Sequence, residues 1–282
     1  MDIDILTFCA SHLSSEKRVA FLVNAINSIM NQKHKTCLFV SVSFENSDFL
    51  KSLKSLVRYP QDNLKIFFHA NNKLSQFEHY DFLVQQIDPL FINRTWVMFM
   101  DDDDYSHSMR SLWYHVYTKF KSRSCMSVIN PYVVYYRTKS DKPVDNDKCC
   151  EALDTGKAYV FSSREHVAYC VRLRLLVDFL AVVKAHKLLK THMCDVALSS
   201  VLYHLTLPDD WTAKARWMYV YFQHGDADRS SRVYDGRYYM RTYKRKFFDD
   251  LADQFNIIGW EHCPGYTPII NKKAYARRGW FW

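Results

Sequence analysis

Glycine is scarce, with 6 in 282 residues. None falls in a GxGxxG or GxxxxGK[ST] string, which excludes a glycine-cradled dinucleotide site and a P-loop. The 8 cysteines form no CxxC pair, and several sit in apolar runs. Buried thiols in a reducing compartment are therefore expected over a zinc site or a disulfide framework. No charge-free apolar stretch approaches a membrane span, and Asp2 and Asp4 stand where a signal peptide would be basic and then apolar. The expectation is a soluble protein that is not secreted and is cytoplasmic. No repeat or linker divides the chain, so one globular unit with C-terminal elaborations is the simplest partition. What is abundant is apolar: 48% hydrophobic and 16% aromatic residues against 24% charged, enough for a sizeable core. The net charge of +8 suits a phosphate-bearing ligand, nucleic acid or an anionic membrane surface, and selects none of them.

The first half alternates strand and helix signals. Ile3 to Phe8 reads as a buried strand, and Ser11 to Lys17 as a polar turn in which Ser14 or Ser15 caps a helix. Val19, Leu22, Val23, Ile26, Ile29 and Met30 recur at helical spacing. Cys37 to Phe44 and Leu64 to Ala70 read as strands and Gln76 to Ile87 as a helix. Trp96 to Met100 is a further strand, and Met109 to Phe120 a further helix. This succession predicts an α/β fold with a doubly wound, mostly parallel sheet. Beyond it, Tyr132 to Arg137, Ala158 to Ser162 and Trp217 to Gln223 read as strands and Thr138 to Lys157 as a loop. Arg164 to Lys190 reads as one long or two shorter helices, Asp195 to Leu205 as a helix, and a last helix ends near Phe255.

The informative string is WVMFMDDDDYSH. In extended chain, Asp101 and Asp103 point one way and Asp102 and Asp104 the other. They fall at the carboxyl end of an apolar strand, where open α/β sheets bind ligands. Four adjacent acids repel one another unless a cation or oriented donors offset the repulsion, and hard oxygen ligands select Mg²⁺ or Mn²⁺ over zinc. The alternative is a solvated acidic turn capping the helix that starts near Ser106 or Ser108.

With SVSFE ending the second strand, KLSQFEHY opening a helix, MFMDDDD after the next strand and CDVALSSVL further on, the chain resembles family 2 glycosyltransferases of the GT-A fold over about residues 3–225. The resemblance implies a GT-A-type mixed sheet flanked by helices. It also implies a metal-dependent, inverting transfer, of hexosyltransferase type, from a nucleoside diphosphate sugar, UDP-sugar foremost, to a glycan or other hydroxyl. Residues 1–235 would form the catalytic domain, with a nucleotide-binding half at about 1–104 and an acceptor-side half at about 105–235. Residues 236–282 would pack on it as a basic, aromatic extension. By the same resemblance Asp101 faces the ribose and Asp103 ligates Mn²⁺ or Mg²⁺, with Asp102 and Asp104 leaving the register of the DxD motif open. Glu45 matches the acid that holds base or ribose. Ser11, Lys73, Gln76 and Asp102 fall at nucleotide-sugar contacts, Asp195 at the catalytic base and His224 at a second metal contact. Arg229 or Arg232 would lie over the diphosphate. At Asp195 the family often shows Glu-Asp, where this chain has Cys194 before the aspartate.

Two other functional classes compete. A two-metal nuclease or phosphodiesterase would need acids from several strands near Asp101 to Asp104, and no second acidic cluster follows a convincing apolar strand. The segment RYYMRTYKRKFF (237–248) interleaves basic and aromatic residues as nucleic-acid surfaces do, although a solvated face packed on the core accounts for it better. The same segment and the terminal RRGWFW also suit peripheral contact with a membrane interface.

Overall fold

The computed structural model describes residues 5–57, 61–70, 73–121, 125–137, 146–163, 165–191, 194–206, 217–223 and 245–258. Ten strands and eight α-helices are described: β1 (Ile5–Leu13), α1 (Glu16–Met30), β2 (Cys37–Phe44), α2 (Ser47–Leu56), β3 (Leu64–Ala70), α3 (Gln76–Gln85), β4 (Trp96–Asp101), β5 (Tyr105–Ser106), α4 (Arg110–Lys119), β6 (Ser127–Ile129), β7 (Tyr132–Arg137), α5 (Asn146–Asp154), β8 (Ala158–Ser162), β9 (Tyr169–Arg172), α6 (Leu173–Ala185), α7 (Cys194–Leu205), β10 (Tyr219–Gln223) and α8 (Arg245–Phe255).

The main sheet runs β3-β2-β1-β4-β9-β6. β3, β2, β1 and β4 are mutually parallel, while β9 is antiparallel to both β4 and β6. With helices flanking it, this is the mixed, mostly parallel α/β architecture expected from the sequence. β2 lies between two parallel neighbours and is buried at every position, so Ser41 and Ser43 are as enclosed as Val40 and Val42. One contiguous core joins the sheet to α1, α3, α6, α7 and α8 through residues such as Leu22, Leu83, Phe99, Phe179, Leu198 and Phe247. Fully burying an aliphatic or aromatic side chain contributes roughly 1.5–3 kcal/mol.

The chain order reverses between β1 and β4. From β1 the chain steps outward through α1 to β2 and β3, then returns through α3 to β4 on the other side of β1. The carboxyl ends of β1 and β4 therefore flank a topological switch point, where neighbouring connections diverge and leave a crevice. A second sheet, β5-β10-β7-β8, stands beyond the end of β4. Arg110, fully buried in α4, braces the join by donating to the carbonyls of Phe99 (2.9 Å) and Val167 (2.6 Å), with its guanidinium 4.7 Å from the Tyr219 ring centre.

Several sequence expectations need correction. β1 continues through Leu13, because its ladder with β2 persists to Leu13 opposite Phe44; Ser11 is a buried strand residue and not part of a turn. A helix, α2, separates β2 and β3, capped by Asn46, whose side chain accepts from the amide of Asp48 (2.9 Å). Residues 146–154 of the expected loop are helix α5, which buries Cys149 and Ala152. Arg164 to Lys190 is not helical throughout. Tyr169–Arg172 pairs in the sheet as β9 before α6 begins, and in so short a strand buried on both faces no period-two pattern develops. Strand β6 escaped notice for the same reason. The cap at Ser15 is as read, its hydroxyl accepting from the amide of Arg18 (3.3 Å).

Among the described residues, no helix is long and apolar enough to cross a membrane. The described cysteines are all free thiols, with Cys9, Cys37, Cys149, Cys170 and Cys194 buried. Helix α8 joins the main core through Phe247, Phe248 and Leu251, and Asp250 meets the His186 ring at 2.7 Å. Residues 237–244 of the basic aromatic segment and the terminal RRGWFW lie outside the described residues.

Candidate active site at the carboxyl edge of the sheet

β4 delivers the acidic run to the switch point and ends at Asp101. The chain turns there, so the alternation of faces stops, and Asp101 and Asp103 do not share the side expected of an extended strand. Asp101 looks toward α3, where Gln76 in the first turn donates to its Oδ1 (2.9 Å). Its backbone amide donates to the Tyr219 hydroxyl (3.1 Å). Asp102 and Asp103 both turn toward α1. Arg18 spans them, with Nη2 to Asp102 Oδ1 at 2.5 Å and Nη1 to Asp103 Oδ2 at 2.9 Å. Ser11 donates to the other oxygen of Asp102 (2.6 Å), so Ser11 reaches the acidic turn through its hydroxyl. Asp104 is 1% exposed. Its Oδ1 accepts from the Phe222 amide (2.8 Å), while Oδ2 has no hydrogen-bond partner.

This is not a solvated acidic turn. Burial first, and then the neighbouring carboxylates, hold Asp101 and Asp104 well above the ordinary carboxylate range. Asp102 is raised less, because Arg18 and the Ser11 hydroxyl counter its desolvation. The two acids pull the Arg18 guanidinium further toward its charged form. Four adjacent carboxyls have one guanidinium among them, which engages Asp102 and Asp103. The donor set is all oxygen, and the Tyr219 side chain and the Phe222 amide are the groups that lower the pKa of the buried Asp104. In chemical type these residues fit Mg²⁺ or Mn²⁺. Among the described residues, however, no three His, Cys, Asp or Glu side chains are arranged to hold a metal ion. Arg18 engages two of the acids instead.

Asp195 enters from the first turn of α7. Its Oδ1 is held by the following amide, Val196 N (2.8 Å). Burial raises its pKa to about 7, with Glu165 adding to the rise and the local amide bonds opposing it. The charge of Asp195 also raises Asp101 and Tyr80, and Glu165 raises Asp101 as well. Asp101 at the end of β4, Tyr80 of α3, Glu165 and Asp195 of α7 are thus electrostatic neighbours, and Gln76 of α3 joins them through its bonds to Asp101 and Tyr80.

On the far side of β1, Glu45 follows the last residue of β2, and its Oε1 meets His12 Nε2 at 3.1 Å. The Glu45 side chain is 58% exposed at the carboxyl edge. Lys73 is exposed, just ahead of the capping box that Ser75 and Glu78 form at the start of α3. His224, Arg229 and Arg232 lie outside the described residues. The structure therefore brings Ser11, Gln76, Asp101, Asp102, Asp103 and Asp195 to one crevice and sets Glu45 along its edge. Sequence reading missed Arg18 and Glu165. The available signal for Arg18 was its place in the first turn of the helix that follows β1, close to the helix cap. Glu165 carried none, since its neighbours read as helix.

No family model matches the chain, and no curated protein matches it. Among solved structures, the chain is similar to S. aureus TarS 1-349 in complex with UDP-GlcNAc, at 11% identity and a TM-score of 0.46 over 89% of this chain and 66% of that one. The same protein in complex with UDP gives 12% and 0.43 over 88% and 65%. Mouse xyloside xylosyltransferase 1, in its apo form, gives 12% and 0.37 over 73% and 84%. The chain spans just under two thirds of the length of the TarS chains. Likeness of this degree assigns no residue a role.

Proposed function

We propose that the protein is a glycosyltransferase that moves a sugar from a nucleoside diphosphate donor, a UDP-sugar foremost, to an acceptor hydroxyl with inversion. The observation that carries this reading is the convergence at the switch point of the acidic turn after β4 with Asp195, a half-buried carboxyl whose pKa is about 7. An acid with that pKa is matched to general-base work near neutral pH. The Asp195 carboxylate takes the proton of the acceptor hydroxyl while its oxygen attacks the anomeric carbon. The bond to the nucleoside diphosphate breaks on the opposite face, and the diphosphate leaves with that electron pair. Asp101 and Gln76 bound the donor's side of the crevice, with Ser11 and Arg18 fixing Asp102. Glu45, exposed at the carboxyl edge, would hold the base or ribose.

Asp103 would hold a Mg²⁺ or Mn²⁺ ion; when bound, that ion supplies positive charge to the departing diphosphate. Calorimetric titration with UDP, with and without Mn²⁺, tests the donor assignment. Binding that Mn²⁺ strengthens, and that Asp103→Asn reduces to the metal-free level, is the expected outcome. No UDP binding under either condition would overturn the reading.

A further inference from the structure

Helix α4 has its polar side in and its apolar side out. The spacing that marks it in the sequence, Leu112, Trp113, Val116 and Phe120, gathers on one face of a 3.6-residue helix. In an ordinary surface helix that face is the buried one. The residues α4 buries are instead Arg110, Ser111, Tyr114 and Thr118. Val116 is 41% exposed and Phe120 81%, while Leu112 and Trp113 are half-buried. Each polar side chain of the inward face has an internal partner. Arg110 donates to the Phe99 and Val167 carbonyls, Ser111 Oγ to the His34 carbonyl (2.5 Å), the Tyr114 hydroxyl to the Ala168 carbonyl (2.7 Å) and Thr118 Oγ1 to the Tyr114 carbonyl (2.7 Å). The bonds to other elements fix the rotation of the helix, so the outward turn of its apolar side belongs to the fold.

The rim of that face is basic. Lys119 is exposed in the last turn, beside Phe120. On the flank the rings of His115 and His34 stack at 3.9 Å, and the Lys33 amide donates to the Ser108 carbonyl (2.7 Å), which brings the 31–36 connection alongside α4. Lys33 and Lys35, both exposed, bracket His34 there. The two segments that meet at this surface hold no acid, since Asp and Glu are absent from 17–44 and from 105–140.

An exposed apolar patch with a polar rim marks an interaction surface, and the sign of the rim selects the occupant. A second copy seated here would set lysine against lysine, because a twofold contact joins a patch to itself and neither segment offers a carboxylate. An anionic lipid surface supplies both complements: apolar depth for Leu112, Val116 and Phe120, an interfacial layer for Trp113, and negative headgroups for the lysines.

We propose that the outward face of α4, with its lysine rim, docks the protein on an anionic membrane surface. The contact is peripheral, since the Arg110 side of the helix stays packed in the protein and no described helix is long and apolar enough to cross a membrane. This docking is independent of the chemistry at the acidic turn.

The test is co-sedimentation of the full chain with phosphatidylcholine vesicles, alone and with about 30 mol% phosphatidylserine. Wild type is expected to bind the anionic vesicles, to release them as NaCl rises from about 0.1 to 0.5 M, and to leave the neutral ones unbound. Phe120→Ser should weaken binding about 10-fold and Lys119→Gln about 5-fold. Both positions are exposed, so thermal unfolding of the two variants should match wild type, which separates lost docking from a lost fold. Absence of binding to the anionic vesicles would overturn the proposal. Binding that Phe120→Ser leaves unchanged would overturn it as well, by placing the contact on another part of the chain. Sedimentation velocity without lipid covers the remaining case: a wild-type dimer that Phe120→Ser dissociates would make this face a contact between copies and overturn the membrane assignment.

Discussion

The acidic turn after β4 and the histidine chain between β1, β2 and β3 share one edge of the same sheet and handle buried polarity in opposite ways. The turn concentrates like charge. One guanidinium engages two of the four carboxyls, and burial with mutual repulsion pushes Asp101 and Asp104 toward protonation. In the histidine chain, His69, Ser41, His79, Ser43, His12 and Glu45 follow one another at 2.8 to 3.3 Å, so each polar group has a partner. A cluster with excess negative charge gains by taking up a cation; a balanced one holds geometry. On the proposed function, chemistry belongs to the first and positioning to the second.

The comparison is broken most directly at Asp195. Asp195→Asn should lower turnover by about 10³-fold while leaving UDP affinity within about twofold, as removal of a general base requires. In wild type, kcat/KM should rise with pH to a plateau above about 7, where Asp195 becomes a carboxylate. The same substitution has an opposite effect on stability. A carboxyl whose folded pKa is raised costs stability as pH climbs from its unfolded value through about 7. The variant should therefore match wild type at pH 4 and exceed it at pH 8, by up to about 4 kcal/mol. Denaturant unfolding at the two pH values checks this. Normal turnover by the variant would remove Asp195 from the chemistry.

Arg18 is the next point of attack. Arg18→Gln leaves Asp102 and Asp103 buried without a counter-charge and should cost about 3 kcal/mol in EDTA. Mn²⁺ should recover part of that loss, and should stabilise the variant more than wild type, because the guanidinium no longer competes for the same oxygens. Thermal unfolding with EDTA and with Mn²⁺ measures both. An equal loss under the two conditions would mean that the turn does not take up a cation in the absence of donor.

These two centres also differ in how well a sequence displays them. The acids are contiguous and follow an apolar strand, so WVMFMDDDD announces both the strand and the charge at its end. Asp195 was legible through its place at the start of an apolar-striped helix. The histidine chain draws on residues 12, 41, 43, 69 and 79, each unremarkable in its own segment. Ser41 and Ser43 read as the polar face of an alternating strand, yet they are buried because α3 covers that face. Ser11 was misplaced because a polar run reads as a turn until a neighbouring strand extends the ladder. The parallel half of the sheet was legible strand by strand; β6 and β9 are too short for periodicity to register and are defined by each other and by β4. Arg18 needed the tertiary fold, since nothing local distinguishes a helix-capping arginine from one that bridges two acids.

The smallest expected effect falls at the buried end of the histidine chain. Ser41→Ala removes one hydroxyl that lies 2.8 Å from both His69 Nε2 and His79 Nδ1. Its loss leaves His79 Nδ1 without that partner in an enclosed site, which should cost about 1–3 kcal/mol. Because the substitution cuts the chain two links from His12, UDP affinity at pH 6 should change by no more than about twofold. The pairing of a measurable stability loss with near-constant affinity separates a scaffold from a site. Loss of UDP binding in Ser41→Ala with its fold intact would mean that the buried histidines take part in the ligand contact, and the division drawn between the two clusters would fail.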